Sequence, residues 1–140
     1  MLSGLVVALA VLIHYEFLHR VSAAMPRMRC RHGLRIVIGV YMALIAHTVE
    51  IWLFGLTYYL MQGQGQHHGS WGSLDGNFDG SLLDCVYFSF TTFTTLGFGD
   101  VEPFGPLRFL VGMESLTGLV LITWSASFLF FEMQRHWNKG

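Results

Sequence analysis

The chain predicts an all-α membrane protein, with three helices crossing the bilayer and a fourth, shorter one that enters and turns back. Three observations carry this. The 140 residues are 53% hydrophobic and only 12% charged, with a mean hydropathy of +0.49, a balance unlike that of a soluble chain. Three apolar stretches approach the roughly 20 residues that a spanning helix needs. A fourth apolar run, Leu82 to Thr94, follows a helix-start signal and, at about 20 Å, is too short to cross. The length suits one domain, and the net charge of -1 leaves no basic surface for nucleic acid. Cys30 and Cys85 are too few and too far apart for a disulfide scaffold and read as free thiols.

The first stretch, Leu2 to Leu18, has a charge-free core that ends at Ile13, after which His14 and Glu16 interrupt it. It lacks a basic leader region, and its nearest positive charge, Arg20, comes after the apolar run. It therefore reads as a retained spanning helix rather than a signal peptide; the alternative is a helix lying along the membrane surface. The second stretch covers 36–61 and the third 107–133. Arg20, Arg27, Arg29, Arg31 and Arg35 crowd the first connection, whereas the second, 62–80, carries Asp75 and Asp79 and no Lys or Arg. By the positive-inside rule the first loop is cytoplasmic, and so is the end of the third helix, where Arg135 and Lys139 lie. A basic loop of this kind suits anionic lipid, with Arg27, Arg29 and Arg31 as the contacts.

Ser81-Leu82-Leu83-Asp84 has the form of a capping box, so the short helix starts there. Its Thr-rich end (Thr91, Thr92, Thr94) runs into Thr95-Leu96-Gly97-Phe98-Gly99-Asp100. The two glycines can take positive φ, which lets successive peptides turn their carbonyls the same way. Four such carbonyl ladders around an axis would replace the hydration shell of a potassium ion, with the Thr95 hydroxyl closing the inner end. Pro103 and Pro106 then hold off the next helix until Leu107.

This hexapeptide and its flanks resemble the potassium channel pore subunits. The resemblance implies a homotetramer, an outer helix at 36–61, a turret at 62–80, a pore helix at 82–94, a filter at 95–100 and an inner helix at 107–133. Residues 1–35 are then an added N-terminal helix with its basic loop, and 134–140 a short cytoplasmic tail. The permeant ion would bind along Thr95, Leu96, Gly97, Phe98 and Gly99. Tyr87 and Phe88 match the aromatic pair that braces the filter as a cuff. Thr91 stands where some relatives carry a glutamate paired with the filter aspartate, so Asp100 is left to Tyr87 or to water. Phe98 lacks the hydroxyl that a tyrosine there contributes in many relatives, which points to a filter prone to inactivation. Gly118 falls near the hinge glycine, and Leu119, Ile122, Ala126 and Phe130 should face the cavity. Glu114 to Gly118 resembles the inner helix of inward rectifiers; with Ile122 where strong rectifiers place an acid, strong polyamine-type block is not expected. The implied location is the cell membrane, specifically a bacterial inner membrane.

Charge inside a bilayer is costly and marks a partner or a pathway. His47 and Glu50 are neighbours on one helix face, and Glu114 lies at a comparable depth on the antiparallel inner helix. The three are expected to form one buried network behind the filter, either a static structural pair or a device that makes opening pH-sensitive. His67 and His68, adjacent in the Gly- and Gln-rich turret, are a weak metal signal, and Gly63-Gln64-Gly65 has no preceding strand to make a nucleotide loop.

The expected function is a potassium-selective channel without a cofactor. A weakly selective cation channel is the alternative, and a small b-type cytochrome with His14 and His47 on its haem is a remote one. No catalytic set emerges, and neither a voltage-sensor helix nor a ligand-binding cytoplasmic domain is expected.

Overall fold

The structure, a computed structural model, describes residues 1–25, 32–63 and 72–137. Along the chain come α1 (Leu2–Ala24), α2 (His32–Gly63), β1 (Ser73–Gly76), α3 (Leu82–Phe93), β2 (Val101–Phe104) and α4 (Leu107–Trp137). The expectations for Arg27, Arg29 and Arg31 on lipid, for His67 and His68 on metal, and for Cys30 all fall outside the described residues. Cys85 is a free, buried thiol.

Helix α1 continues past Leu18 because the two groups that interrupt its apolar run are both accommodated: Glu16 sits on an exposed face and pairs with Arg20 at 2.7 Å one turn apart, while His14 turns inward. Its buried stripe is Val6, Ala10, His14, Leu18 and Val21, a spacing that keeps one face inward. Near its middle His14 meets Glu50 of α2, and at its end Met25 lies against Gly39, so α1 and α2 run antiparallel. Contacts with α4 complete a bundle. A surface helix would not lie along both neighbours in this way. α1, α2 and α4 are each long and apolar enough to cross a membrane.

α2 and α4 outrun their expected limits of 36–61 and 107–133 at one or both ends. The apolar run reports the thickness of hydrocarbon to be crossed, whereas the helix itself goes on wherever backbone hydrogen bonds continue.

α3 begins at the capping box. Ser81 accepts from the Asp84 amide at 3.1 Å, Asp84 accepts from the Asp79 amide at 2.8 Å, and Asp79 accepts from the Ser81 amide at 2.7 Å. These bonds satisfy donors that the helix start leaves open. The helix is then wedged between its longer neighbours at two glycines. A Cβ on Gly55 of α2 would come within 2.8 Å of Val86 Cα, and one on Gly118 of α4 would lie 2.1 Å from the Phe93 carbonyl oxygen. Around these contacts Phe54, Tyr58, Phe88, Phe93, Leu107, Leu110 and Leu121 form the buried core.

A two-stranded antiparallel ribbon was not anticipated. Ser73 pairs with Phe104, Leu74 with Pro103, Asp75 with Glu102 and Gly76 with Val101. Four-residue strands with a proline in one of them carry almost no sequence signal, and a ribbon with two open edges tolerates the missing proline N–H. The ribbon joins the end of the turret to the chain leaving the hexapeptide.

Candidate functional site

The hexapeptide leaves the C-terminal end of α3. Thr94 closes the helix with its amide on the Phe90 carbonyl, and the Thr95 amide bonds to the Thr92 carbonyl at 3.0 Å. The Thr91 carbonyl then receives two amides, those of Leu96 at 2.8 Å and Gly97 at 3.1 Å. These bonds fix the first half of the segment against the helix end.

Positive φ recurs at every second residue: Thr95 at 60°, Gly97 at 50° and Gly99 at 77°. Alternating handedness turns successive peptides to one side, as in the concave backbone nests that bind ions. The glycines were expected to do this, but Thr95 was not. A β-branched residue at positive φ is an outlier that costs on the order of 1–3 kcal/mol and is kept where the surroundings enforce it. Here the Thr95 and Leu96 amide bonds on either side enforce it. Thr95 to Gly99 are all exposed on the single chain, so this backbone has no partner of its own on one flank.

The supports divide differently from the expected cuff. The Tyr87 hydroxyl donates to Asp100 at 2.8 Å, and the Asp100 carbonyl accepts from the Asn77 amide at 2.8 Å. Thr91 serves through its carbonyl, while its hydroxyl turns back to the Phe88 carbonyl at 3.0 Å. Phe88 is buried, with its ring edge-on to Tyr58 at 5.4 Å, so within the chain it packs between α3 and α2 rather than on the hexapeptide.

The expected single network of His47, Glu50 and Glu114 is two clusters. Glu114 is fully buried and accepts from the Tyr58 hydroxyl and from Ser89, whose Oγ also lies 2.8 Å from the Ile51 carbonyl. Glu50 is bonded to two histidines, Oε2 to His47 Nδ1 at 3.1 Å and Oε1 to His14 Nδ1 at 2.8 Å. Depth along a helix was readable from residue counting, but rotation about its axis was not, and rotation decides which polar groups meet. Tyr58 and Ser89 were missed because a tyrosine and a serine in apolar helices look ordinary. His14 did carry a signal, as an ionisable group in an apolar run. The two imidazole rings stack at 5.2 Å with both Nδ1 atoms turned to Glu50, an arrangement that leaves no place for a porphyrin between them.

On α4, Gly118 is the seat of Phe93, and Ser115 donates to the Thr92 carbonyl at 3.2 Å. Gly118, the expected hinge position, is thus also a close-packing glycine. Leu119, Ile122, Ala126 and Phe130 are exposed along one side of the helix.

Residues 46–135, more than half of the chain, match the ion-channel family. The chain belongs to that family. The matched span starts in mid-α2 and takes in α3, the hexapeptide and nearly all of α4, while α1 lies outside it. The chain is also similar to the inward rectifier potassium channel Kirbac3.1 of Paramagnetospirillum magnetotacticum, at 37% identity over 57 residues, covering 40% of this chain and 19% of that protein. The similarity thus spans about a fifth of the relative's length. No solved structure matches the chain.

Proposed function

We propose that the channel conducts potassium selectively as a homotetramer, with one hexapeptide per chain lining a central filter. The observation that carries this reading is the alternation of positive φ at Thr95, Gly97 and Gly99 on an exposed segment anchored to the Thr91 carbonyl. Four copies facing an axis would surround an ion with carbonyl oxygens, and repulsion between ions in adjacent sites would drive each onward. The C-terminal end of α3 adds partial negative charge beneath the filter. Between Gln62 and Leu107 the chain has five acids, Asp75, Asp79, Asp84, Asp100 and Glu102, and no Lys or Arg, a charge pattern that concentrates cations at that mouth. The exposed row of Leu119, Ile122, Ala126 and Phe130 would line an apolar cavity below. Kirbac3.1, by its name, is a potassium channel, which supports the same ion for this chain.

Reconstitution into liposomes with flux measured in K⁺ and in Na⁺ tests the reading. K⁺ flux with little Na⁺ flux is expected. Equal flux of the two ions would replace it with a weakly selective cation channel. The assembly is tested separately by mass measurement of the detergent-solubilised protein, where four chains are expected.

A further inference from the structure

The cluster of His14, His47 and Glu50 lies outside the proposed ion path, and nothing in conduction requires it. Two imidazoles and one carboxylate converge from α1 and α2, with one donor atom from each within 4.8 Å of the others. The side chains of His14 and Glu50 are fully buried, while that of His47 is 14% exposed. We propose that these three residues form a binding site for a divalent transition metal of the zinc class, which pins α1 to α2 and α4.

The donor set suits such an ion. Two histidines and a glutamate supply three protein ligands and leave a fourth position for water, a common zinc arrangement, and imidazole with carboxylate favours first-row metals over Ca²⁺ or Mg²⁺. Each histidine presents Nδ1 to a different carboxylate oxygen, His14 at 2.8 Å and His47 at 3.1 Å. Hydrogen-bonded separations of this size need only small side-chain shifts to admit a metal in place of the shared protons. The far side of one ligand is already held: His14 Nε2 lies 3.3 Å from Ser125 Oγ on α4. A ligating imidazole generally uses its other nitrogen in this way, which fixes its orientation. The rings of Trp124, 5.4 Å from His14, and Phe93, 5.8 Å from His47, wall the site. The partly exposed His47 is the side from which an ion would enter. Because α1, α2 and α4 all contribute, loading would lock the added helix onto the pore domain, and through Phe93 it would stiffen the end of α3. This goes beyond the proposed function and holds whichever ion permeates.

Cobalt(II) titration of the full-length, metal-stripped protein in detergent tests the site, because Co²⁺ in a four-coordinate site absorbs visibly and is displaced by Zn²⁺. One Co²⁺ per chain is expected, bleached by Zn²⁺. Apparent affinity should fall about 100-fold or more in His14→Gln and in His47→Gln, and about 10-fold in Ser125→Ala. It should be unchanged in the His67→Gln/His68→Gln double variant. If His14→Gln does not fold, the partly exposed His47→Gln decides, with gel-filtration elution as the check on folding. The proposal is overturned if the wild-type protein gives no visible band, if the band survives in His47→Gln, or if the turret double variant abolishes it.

Discussion

The two sides of α3 are built on opposite terms. Behind it, toward α2 and α4, the polar groups are buried and satisfied within the chain: Glu114 by Tyr58 and Ser89, and Glu50 by His14 and His47. In front of it, the hexapeptide is exposed and held by a few bonds, chiefly the two amides on the Thr91 carbonyl and Tyr87 on Asp100. A buried polar group without a partner costs about 1–3 kcal/mol, whereas water can serve an exposed one. The back is therefore complete in one chain, while the front is left open, a surface that the proposed tetramer would complete. Substitutions behind α3 should act on stability, and those in front on conduction.

The sharpest way to break that contrast is Gly118→Ala. Its Cβ would fall 2.1 Å from the Phe93 carbonyl oxygen, and backbone cannot give way as a side chain can. A loss of about 3 kcal/mol, the upper end for an overpacked core, is expected, read as a large drop in thermal unfolding temperature in detergent. If unfolding is unchanged, the tight seat of α3 on α4 is wrong. Next in size, Glu114→Ala would leave the Tyr58 hydroxyl without its buried acceptor. About 2–3 kcal/mol should be lost, and the additional variant Tyr58→Phe should recover part of it by removing the orphaned group; no recovery would mean that the Tyr58 bond contributes nothing.

In front, Tyr87→Phe removes the hydroxyl from Asp100. The site is exposed, so the cost should be no more than about 1 kcal/mol. Unfolding should barely move while current decays faster during sustained activity. A stability loss as large as that of Glu114→Ala would erase the distinction between the two sides. The smallest effect belongs to the cap of α3, where hydrogen bonds from Ser81 hold the Asp79 carboxyl below the ordinary carboxylate range. Its contribution is present above that range and lost as pH falls through the lowered value. The stability difference between the wild-type protein and Asp79→Asn should therefore shrink between neutral pH and about pH 3, the range in which carboxylates take up protons. A difference that stays constant would show that the Asp79 charge does not support the cap.

The four helices and their order were legible without coordinates because the signals are local. Apolar length marks the three long helices, and Ser81 with Asp84 marks the start of α3. The glycines at 97 and 99 mark where the backbone can change hand. The candidate site was legible in part: Thr95 to Asp100 stood out, but the positive φ of Thr95 did not, since nothing in a threonine announces strain that its neighbours impose. The β1–β2 ribbon was hidden because its strands are short and pair across 24 intervening residues.

The sequence by itself determined a membrane protein with three spanning helices, a short re-entrant helix and a filter-like turn, because composition, periodicity and capping act within a few residues of one another. Only the tertiary structure decided that α1 packs along α2 and α4, that Gly55 and Gly118 seat the short helix, and that the buried acids fall into two clusters. Those outcomes depend on how each helix is rotated about its axis and which side chains of distant segments come within a few ångströms, and residue spacing along one chain does not specify either.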